Sequence, residues 1–228
     1  MTTAKTSRAR ERLTHDRVVE TALMLMDTEG LEAVTMRRLA RELGVEAMSL
    51  YNHVDSKEAI YDGICARVLS EIEIPAETDD WLSEARQLAG SFKEVLGAHP
   101  NVVTLMYERK HPMRAAGGWR PMDAALRLFR RAGLTDRQVA QAYTVFGGFI
   151  FGSILIEAGQ PKVPSGDEQA EQQLIAEMAR ILPMSELPTL ADLLPEIVRC
   201  DPAASFEFGL DMLIRGLQTL VAADQATG

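Results

Sequence analysis

The residues of this chain best suited to binding chemistry lie between Val45 and Val54. The side chains expected to point outward in that segment are small, aromatic or hydrogen-bonding: Ala47, Met48, Ser49, Tyr51, Asn52 and His53. A helix face that is only solvated usually carries Lys and Glu four residues apart. Hydroxyl, amide and imidazole groups can bond phosphate oxygens and base edges, and apolar groups can contact thymine methyls. The segment therefore has the composition of a surface that binds nucleic acid.

Two short helices joined by a tight turn are predicted to position these residues. Thr35 is a candidate N-cap, because its side-chain oxygen can accept from a backbone N–H at the helix start. Gly44 follows the last apolar residue of the first helix, where left-handed backbone costs glycine little. The residues expected on the core side are Leu39, Ala40, Leu43, Val45, Leu50 and Val54. This spacing is that of a helix-turn-helix, which lays its second helix in the DNA major groove. An αα-hairpin without a DNA role shares the spacing, and the outward residues favour the DNA-binding interpretation.

Residues 14 to about 65 resemble the DNA-binding domain of the tetracycline-repressor (TetR) family of bacterial regulators. The run Leu50-Tyr51-Asn52-His53-Val54, followed by Asp55-Ser56-Lys57-Glu58, is similar to the end of the family's recognition helix and the start of its fourth helix. Thr14 to Gly30 is similar to its first helix, with an apolar stripe of Val18, Ala22, Leu25 and Met26. A weaker similarity at residues 206–211 extends to the last helix of members close to the tetracycline repressor.

The resemblance implies DNA contacts by nine residues: Thr35, Arg37, Ala47, Met48, Ser49, Tyr51, Asn52, His53 and Lys57. The guanidinium of Arg37 could donate two hydrogen bonds to guanine, one to O6 and one to N7. Tyr51 and His53 are expected to contact phosphates of the DNA backbone. Lys57 adds a positive charge at the N-terminus of the fourth helix, where backbone N–H groups already favour an anion. Ala47, Met48 and Asn52 depart from the tetracycline repressor's own residues, so a different operator sequence is expected.

The charge distribution agrees with this interpretation although the net charge is -9. The first 57 residues hold nine basic and nine acidic side chains, so the acidity belongs to the remainder of the chain. Five basic residues precede or open the first predicted helix: Lys5, Arg8, Arg10, Arg12 and Arg17. A flexible basic arm at residues 1–13 would contact phosphates and release counterions. A disordered solubilising tail is the alternative.

Composition and motifs argue against several other classes of protein. No period-2 segment is long enough to require a strand, and helical periodicity predicts an all-α chain. Cys65 and Cys200 lie far apart without metal-site or disulfide spacing, which indicates reduced thiols in a cytoplasmic protein. The most apolar segment, Val145 to Ile156, is too short to cross a bilayer, so no membrane association is expected. No nucleophile–base pair, phosphate-binding loop or complete metal-ligand set was found, so we expect no catalytic residue, metal or cofactor.

We predict three regions: the basic arm at 1–13, a three-helix helix-turn-helix domain at 14–60, and a ligand-binding and dimerisation domain at 61–228. The last is expected to be a larger helical bundle of about ten helices. A fourth helix is expected from 56 to about 74, and the prolines between Pro183 and Pro202 predict a looser connection before a final helix at 201–223.

Two helices of the second region are apolar on more sides than one small core covers, namely residues 143–156 and the C-terminal helix. We therefore expect a homodimer with an isologous helical interface. Its candidate residues are Phe149, Ile156, Phe206, Leu210, Leu213 and Leu217. Burial within a monomer is the alternative.

The resemblance also implies a small, apolar or aromatic effector bound in the second region. Candidate lining residues are Phe92, Leu105, Met106, Trp119, Met122, Leu126, Tyr143, Phe146 and Ile150, each of which could equally be ordinary core. Polar anchors could come from Arg86, Glu108, His111 and Glu157. Ile156 falls about where the metal-binding glutamate of the family's namesake should be, so tetracycline itself is not expected.

The function expected is therefore a ligand-responsive repressor that binds a palindromic double-stranded DNA operator and is released by its effector. An activator of the same fold, an enzyme using the helical cavity and a scaffold dimer remain as alternatives.

Overall fold

The protein is all-helical in a computed structural model that describes residues 12–108, 116–161 and 167–227, and no strand occurs among them. Eleven α-helices follow one another along these residues: α1 (His15–Glu29), α2 (Met36–Leu43), α3 (Ala47–Leu50), α4 (Lys57–Leu69), α5 (Trp81–Ala98), α6 (Pro100–Glu108), α7 (Arg120–Arg131), α8 (Asp136–Gly159), α9 (Glu168–Ile181), α10 (Pro188–Val198) and α11 (Pro202–Thr227). The prediction of an all-α protein is confirmed.

The helices group into two compact units. The first contains the described residues up to Ile74 together with those of Glu94–Asp123. The second contains Pro75–Lys93 and the described residues from Ala124 onward. Helix α6 therefore belongs with the N-terminal helices, and the boundaries between the units fall inside α5 and α7.

Local signals in the sequence set the ends of the first two helices. The Thr14 hydroxyl accepts from the Arg17 backbone N–H at 3.2 Å, and the Thr35 hydroxyl accepts from the Arg38 N–H at 3.1 Å. Gly44 ends α2 in the left-handed region with φ 67°. The apolar stripe predicted on α1 is buried. The Thr35 cap and the Gly44 stop agree with the prediction, because each depends on residues within one helical turn, and the Thr14 cap was not predicted.

Helix α4 is shorter than predicted. Ser56 caps it, its hydroxyl accepting from the Ala59 N–H at 3.1 Å. The helix ends at Leu69 rather than just before Pro75, because the chain turns there and buries Ile72. On the α1 side, a Cβ placed on Gly63 would lie 2.5 Å from a Val19 methyl carbon. The absence of a side chain at Gly63 is thus what lets α4 pack directly on α1.

A helix occupies part of the stretch that was expected to be a loose connection, and that expectation was wrong. Pro188 is the first residue of α10, a position where the missing N–H is not needed. Leu194 is buried, so the segment has a core-facing side. Pro195 lies inside α10, which continues to Val198.

In the second unit, α8 and α11 carry most of the aromatic packing. Thr135 and Gln138 form a capping box that starts α8. Phe146 meets Phe129 edge-on, with ring centroids 5.5 Å apart, and Phe149 stacks on Phe206 at 5.2 Å. The most apolar window of α8 has a mean hydropathy of 1.7, so by length and composition alone it could cross a membrane, a test that core helices of soluble proteins also pass.

The buried carboxylate of Glu84 joins the segment before α5 to α7. Glu84 is buried and accepts from the Thr78 hydroxyl at 2.9 Å and from the Thr78 backbone N–H, and it pairs with Arg131. Burial alone would raise the pKa of Glu84, but the Thr78 and Arg131 donors outweigh it and hold the pKa below its ordinary value. The segment before α5 is thereby tied to the end of α7.

Candidate nucleic-acid interface and ligand cavity

The second helix of the predicted hairpin is short. Regular α3 covers Ala47–Leu50, and the chain continues in turns in which the N–H groups of His53 and Val54 both donate to the Leu50 carbonyl. Leu50 and Val54 are buried and anchor the segment. Val45, expected in the core, is half-buried. Leu50 and Val54 therefore anchor the segment to the core, while Met48, Tyr51 and Asn52 are exposed.

The nine residues assigned to DNA contact lie within Thr35–Lys57 and all belong to the first unit. Met48 is 73% exposed and Tyr51 is 48% exposed, although both are large and apolar or aromatic. The polar residues Thr35, Arg37 and Asn52 are exposed too. The half-buried members are Ala47, Ser49, His53 and Lys57. Exposed aromatic and thioether groups beside hydrogen-bonding side chains are what a surface needs in order to touch bases and phosphates.

The two adjacent arginines of α2 have different environments. Arg38 donates from Nε to Glu29 Oε2 at 3.1 Å and from Nη1 to Glu42 Oε2 at 2.7 Å, which ties α2 to α1. The hydrogen bond from Arg38 is the main reason why the pKa of Glu29 lies below its ordinary value, and the same carboxylates raise the pKa of Arg38. Arg37 is exposed and is not one of the residues that form this ion-pair network.

Lys57 is the first residue of α4. Its ammonium nitrogen lies 5.1 Å from the centroid of the Tyr61 ring, a cation–π distance that restricts the flexible side chain. Unpaired backbone N–H groups at this helix N-terminus favour an anion such as a phosphate.

A cavity of about 240 Å³ lies in the second unit. Four of the residues predicted for the effector site line it: Phe92, Tyr143, Phe146 and Ile150. The structure adds Ala125, Thr144, Gly147, Gly148 and Phe151. Leu126 is half-buried in the same unit without lining this cavity, whereas Leu105, Met106, Trp119 and Met122 belong to the first unit. Two adjacent glycines inside a helix were the one signal in the sequence that could have pointed to this opening.

The cavity is suited to a small apolar molecule. Its lining is mainly aromatic and aliphatic, and the two glycines expose the backbone of α8. Burial raises the pKa of the Tyr143 hydroxyl, a group that is protonated at neutral pH in any case and can donate a hydrogen bond. The Thr144 hydroxyl donates to the Ala140 carbonyl at 2.9 Å.

The suggested polar anchors are distributed differently. Arg86 pairs with Asp211, and Glu157 pairs with Lys93. Glu108 is exposed at the end of α6, and His111 lies outside the described residues. Among the residues that the structure describes, no group of three or more His, Cys, Asp and Glu side chains could hold a metal ion.

A second opening of about 400 Å³ runs along α8 and α11. Met212, Leu213, Leu217, Val145 and Leu220 are among its lining residues. Of the predicted interface residues, Leu213 and Leu217 are half-buried here, and Ile156 is exposed. Phe206 and Leu210 are buried inside the single chain, and Phe149 is half-buried and stacks on Phe206. The exposed apolar side of α11 is formed instead by Phe208, Met212 and Leu220.

Both parts of the chain match domains of the same protein family. Residues 18–64 match the family described as bacterial regulatory proteins, tetR family, and residues 74–221 match the tetracyclin repressor-like C-terminal domain. The HTH-type transcriptional repressor DrrR1 of Streptomyces coeruleorubidus is 32% identical over 92% of this chain and 79% of its own length. The class C tetracycline repressor protein of Escherichia coli is 30% identical over 92% of both chains. The crystal structure of Streptomyces coelicolor ActR with actinorhodin superposes with a TM-score of 0.76 at 30% identity, covering 92% of this chain and 99% of that one.

Proposed function

The chain belongs to the TetR family of DNA-binding transcriptional regulators, and from this premise we propose that it is a repressor that binds a palindromic operator as a homodimer and leaves it when a small effector binds. The observation that carries this proposal is the segment from Thr35 to Lys57. It holds exposed Met48, Tyr51, Asn52 and Arg37 on a hairpin whose own core contacts are satisfied by Leu50 and Val54.

Each side chain has a role that its position supports. Arg37 reads a guanine edge, and Ala47 and Met48 contact thymine methyls. Thr35, Ser49, Tyr51 and His53 bond phosphates, since Thr35 accepts its N-cap bond and still has a hydroxyl proton to donate. Asn52 contacts either a base edge or the sugar–phosphate backbone of the DNA. Lys57 supplies a charge at the N-terminus of α4, and the arm at residues 1–13, which lies outside the described residues, adds phosphate contacts.

Dimerisation is supported by the surface of α8 and α11. Only 28% of the most apolar window of α8 is buried in the single chain. Exposed apolar side chains occur on both helices, and a groove runs between them. A second copy related by a two-fold axis would cover this surface and place two hairpins one DNA turn, about 34 Å, apart.

The effector is proposed to be a flat aromatic molecule bound in the 240 Å³ cavity. Aromatic side chains from α5 and α8 and the exposed backbone at Gly147 and Gly148 suit a ring system that stacks and approaches closely. That ActR was crystallised with actinorhodin supports this class of ligand. The effector must bind the DNA-free geometry more tightly by a few kcal/mol in order to release the operator.

A mobility-shift titration with DNA from the gene's own upstream region tests the DNA-binding proposal. Tyr51→Ala and Lys57→Ala should each weaken operator binding by about tenfold, because each removes a hydrogen bond to a charged phosphate. Arg180→Ala removes one exposed positive charge from α9 and serves as the matched control. Operator binding by both variants as tight as that of the unmodified protein at moderate salt would contradict the site assignment.

A transcriptional activator of the same fold is the second candidate. Deletion of the gene separates the two candidates, because transcripts of the regulated genes rise when a repressor is lost and fall when an activator is lost. No catalytic role is proposed, because the relatives are regulators and the cavity lining holds no nucleophile–base pair. We place the protein in the cytoplasm, where its DNA partner is.

A further inference from the structure

Two hydroxyl groups belong to the described lining of the 240 Å³ cavity, those of Tyr143 and Thr144. The Thr144 proton is engaged, because that hydroxyl donates to the Ala140 carbonyl at 2.9 Å within α8. The Tyr143 hydroxyl makes no hydrogen bond to any other residue that the structure describes. Burial is the cause that raises the pKa of Tyr143, and no neighbouring donor or charge adds to that shift. Within the described lining, Tyr143 is therefore a donor whose acceptor can come from a bound molecule.

The described lining carries no charge. None of its residues is Asp, Glu, His, Lys or Arg. The two basic residues of α5 are already paired, Arg86 with Asp211 and Lys93 with Glu157. The Lys93 ammonium also lies 5.6 Å from the centroid of the Phe206 ring. An anionic molecule in the cavity would thus lose its hydration without gaining a cationic partner.

Apolar groups form most of the remaining lining. The rings of Phe92, Phe146 and Phe151 lie around the cavity together with the aliphatic side chain of Ile150. Aromatic rings favour stacked or edge-on contact with another ring. In a site of this composition a single polar group fixes the orientation of the ligand, because the apolar contacts are not directional.

We propose that the effector is a neutral aromatic carbonyl compound, such as an aryl ketone or aryl ester, and that Tyr143 determines this specificity by donating its hydroxyl proton to the carbonyl oxygen. A carbonyl oxygen has two lone pairs and carries no net charge, so it meets the donor without the desolvation cost of an anion. This inference rests on the proposed effector cavity. It adds the chemical class of the effector and the residue that selects it.

Three probes of nearly the same shape test the inference: 2-acetylnaphthalene, 2-ethylnaphthalene and 2-naphthoate. Equilibrium dialysis measures their affinities for the unmodified protein and for Tyr143→Phe. The substitution should weaken binding of 2-acetylnaphthalene about three- to tenfold, the effect of one hydrogen bond. It should leave binding of 2-ethylnaphthalene within about twofold, because that probe has no acceptor and the phenyl ring is retained.

Tyr107→Phe is the matched control. Tyr107 is 84% exposed and belongs to the first unit, away from the cavity lining. The substitution removes the same hydroxyl group, and it should leave the affinities of all three probes unchanged. An unchanged affinity of Tyr143→Phe for 2-acetylnaphthalene would show that Tyr143 does not select the carbonyl.

The third probe tests the exclusion of charge. In 2-naphthoate a carboxylate takes the place of the acetyl group, so the shape is kept and a negative charge is added. At pH 7 it should bind more than about tenfold more weakly than 2-acetylnaphthalene, because the described lining offers no cation. Equal affinities of the two probes overturn the assignment of a neutral effector.

Infrared spectroscopy reports the hydrogen bond without a variant. The carbonyl stretch of bound 2-acetylnaphthalene, isotopically labelled at the carbonyl carbon, should lie below its frequency in a hydrocarbon solvent. A stretch at the hydrocarbon frequency in the unmodified protein overturns the inference. This measurement also decides the case in which Tyr143→Phe weakens the acetyl and ethyl probes equally.

Failure of the inference and failure of the proposed function give different results. If both neutral probes bind and neither depends on Tyr143, the cavity remains the effector site and only its proposed specificity is wrong. If no probe binds the unmodified protein, the proposed effector cavity is contradicted and the inference falls with it.

Discussion

Neighbouring residues of the same type serve different purposes in this chain, and Arg37 and Arg38 are the clearest example. Arg38 is bonded to Glu29 and Glu42, whereas Arg37 is exposed beside the hairpin. The Arg38–Glu42 pair has i,i+4 spacing, so it forms within one helix. The Glu29 partner lies on another helix, so only the packing of α1 against α2 shows that Arg38 is already engaged.

Glu84 allows a prediction about stability and pH at the residue scale. Glu84→Gln removes the charge that Thr78 and Arg131 stabilise, and should lower the free energy of unfolding at pH 7 by about 1–3 kcal/mol. Because the folded pKa of Glu84 lies below its ordinary 4.5, the carboxylate's contribution is complete above about pH 4.5 and is lost as pH falls through the lowered pKa. Denaturant titrations from pH 7 to pH 3 measure this difference.

Glu94→Gln, an exposed position on the same helix, is the control and should leave stability almost unchanged. A Glu84→Gln deficit that stays constant down to pH 3 would show that the charge of this carboxylate contributes no stability.

At the scale of elements, the contact between α1 and α4 depends on one missing side chain. Gly63→Ala puts a methyl group where a Val19 methyl lies 2.5 Å away, and Val19 is buried and β-branched. We expect a loss of about 1–3 kcal/mol in the free energy of unfolding, despite the better helix propensity of alanine. Thermal and denaturant unfolding measure the change.

Gly90→Ala in α5 is the matched control, because nothing lies within 4 Å of the added Cβ. It should stabilise the protein by about 0.5–1 kcal/mol. Equal effects of the two substitutions would mean that α4 moves away from α1 without cost.

At the scale of the whole molecule, the exposed apolar surface of α8 and α11 predicts self-association. Met212 is 58% exposed in the single chain and lines the groove between these helices. Met212→Glu should shift the protein from dimer to monomer, since two charges would be buried at a two-fold interface. Analytical ultracentrifugation measures the mass, and operator binding should weaken together with dimerisation.

Met24→Glu, which introduces the same charge at an exposed methionine of α1, should leave the mass unchanged. A Met212→Glu protein that remains a dimer would place the interface elsewhere on the molecule.

The sequence by itself determined the fold class, the hairpin and most helix ends. The cap at Thr35 and the stop at Gly44 each depend on atoms within one turn, so local spacing was enough to predict them. The apolar anchors Leu50 and Val54 followed from helical periodicity for the same reason.

Only the tertiary structure decided which distant residues meet. It brought Phe92 and the α8 aromatics around one cavity, buried Phe206 and Leu210 beneath the surface predicted for a partner, and paired Asp27 with His99, 72 positions away. Periodicity shows that a helix has an apolar side without showing which helix covers it. That choice depends on how all the helices pack together, and contacts between positions so far apart leave no pattern in the local sequence.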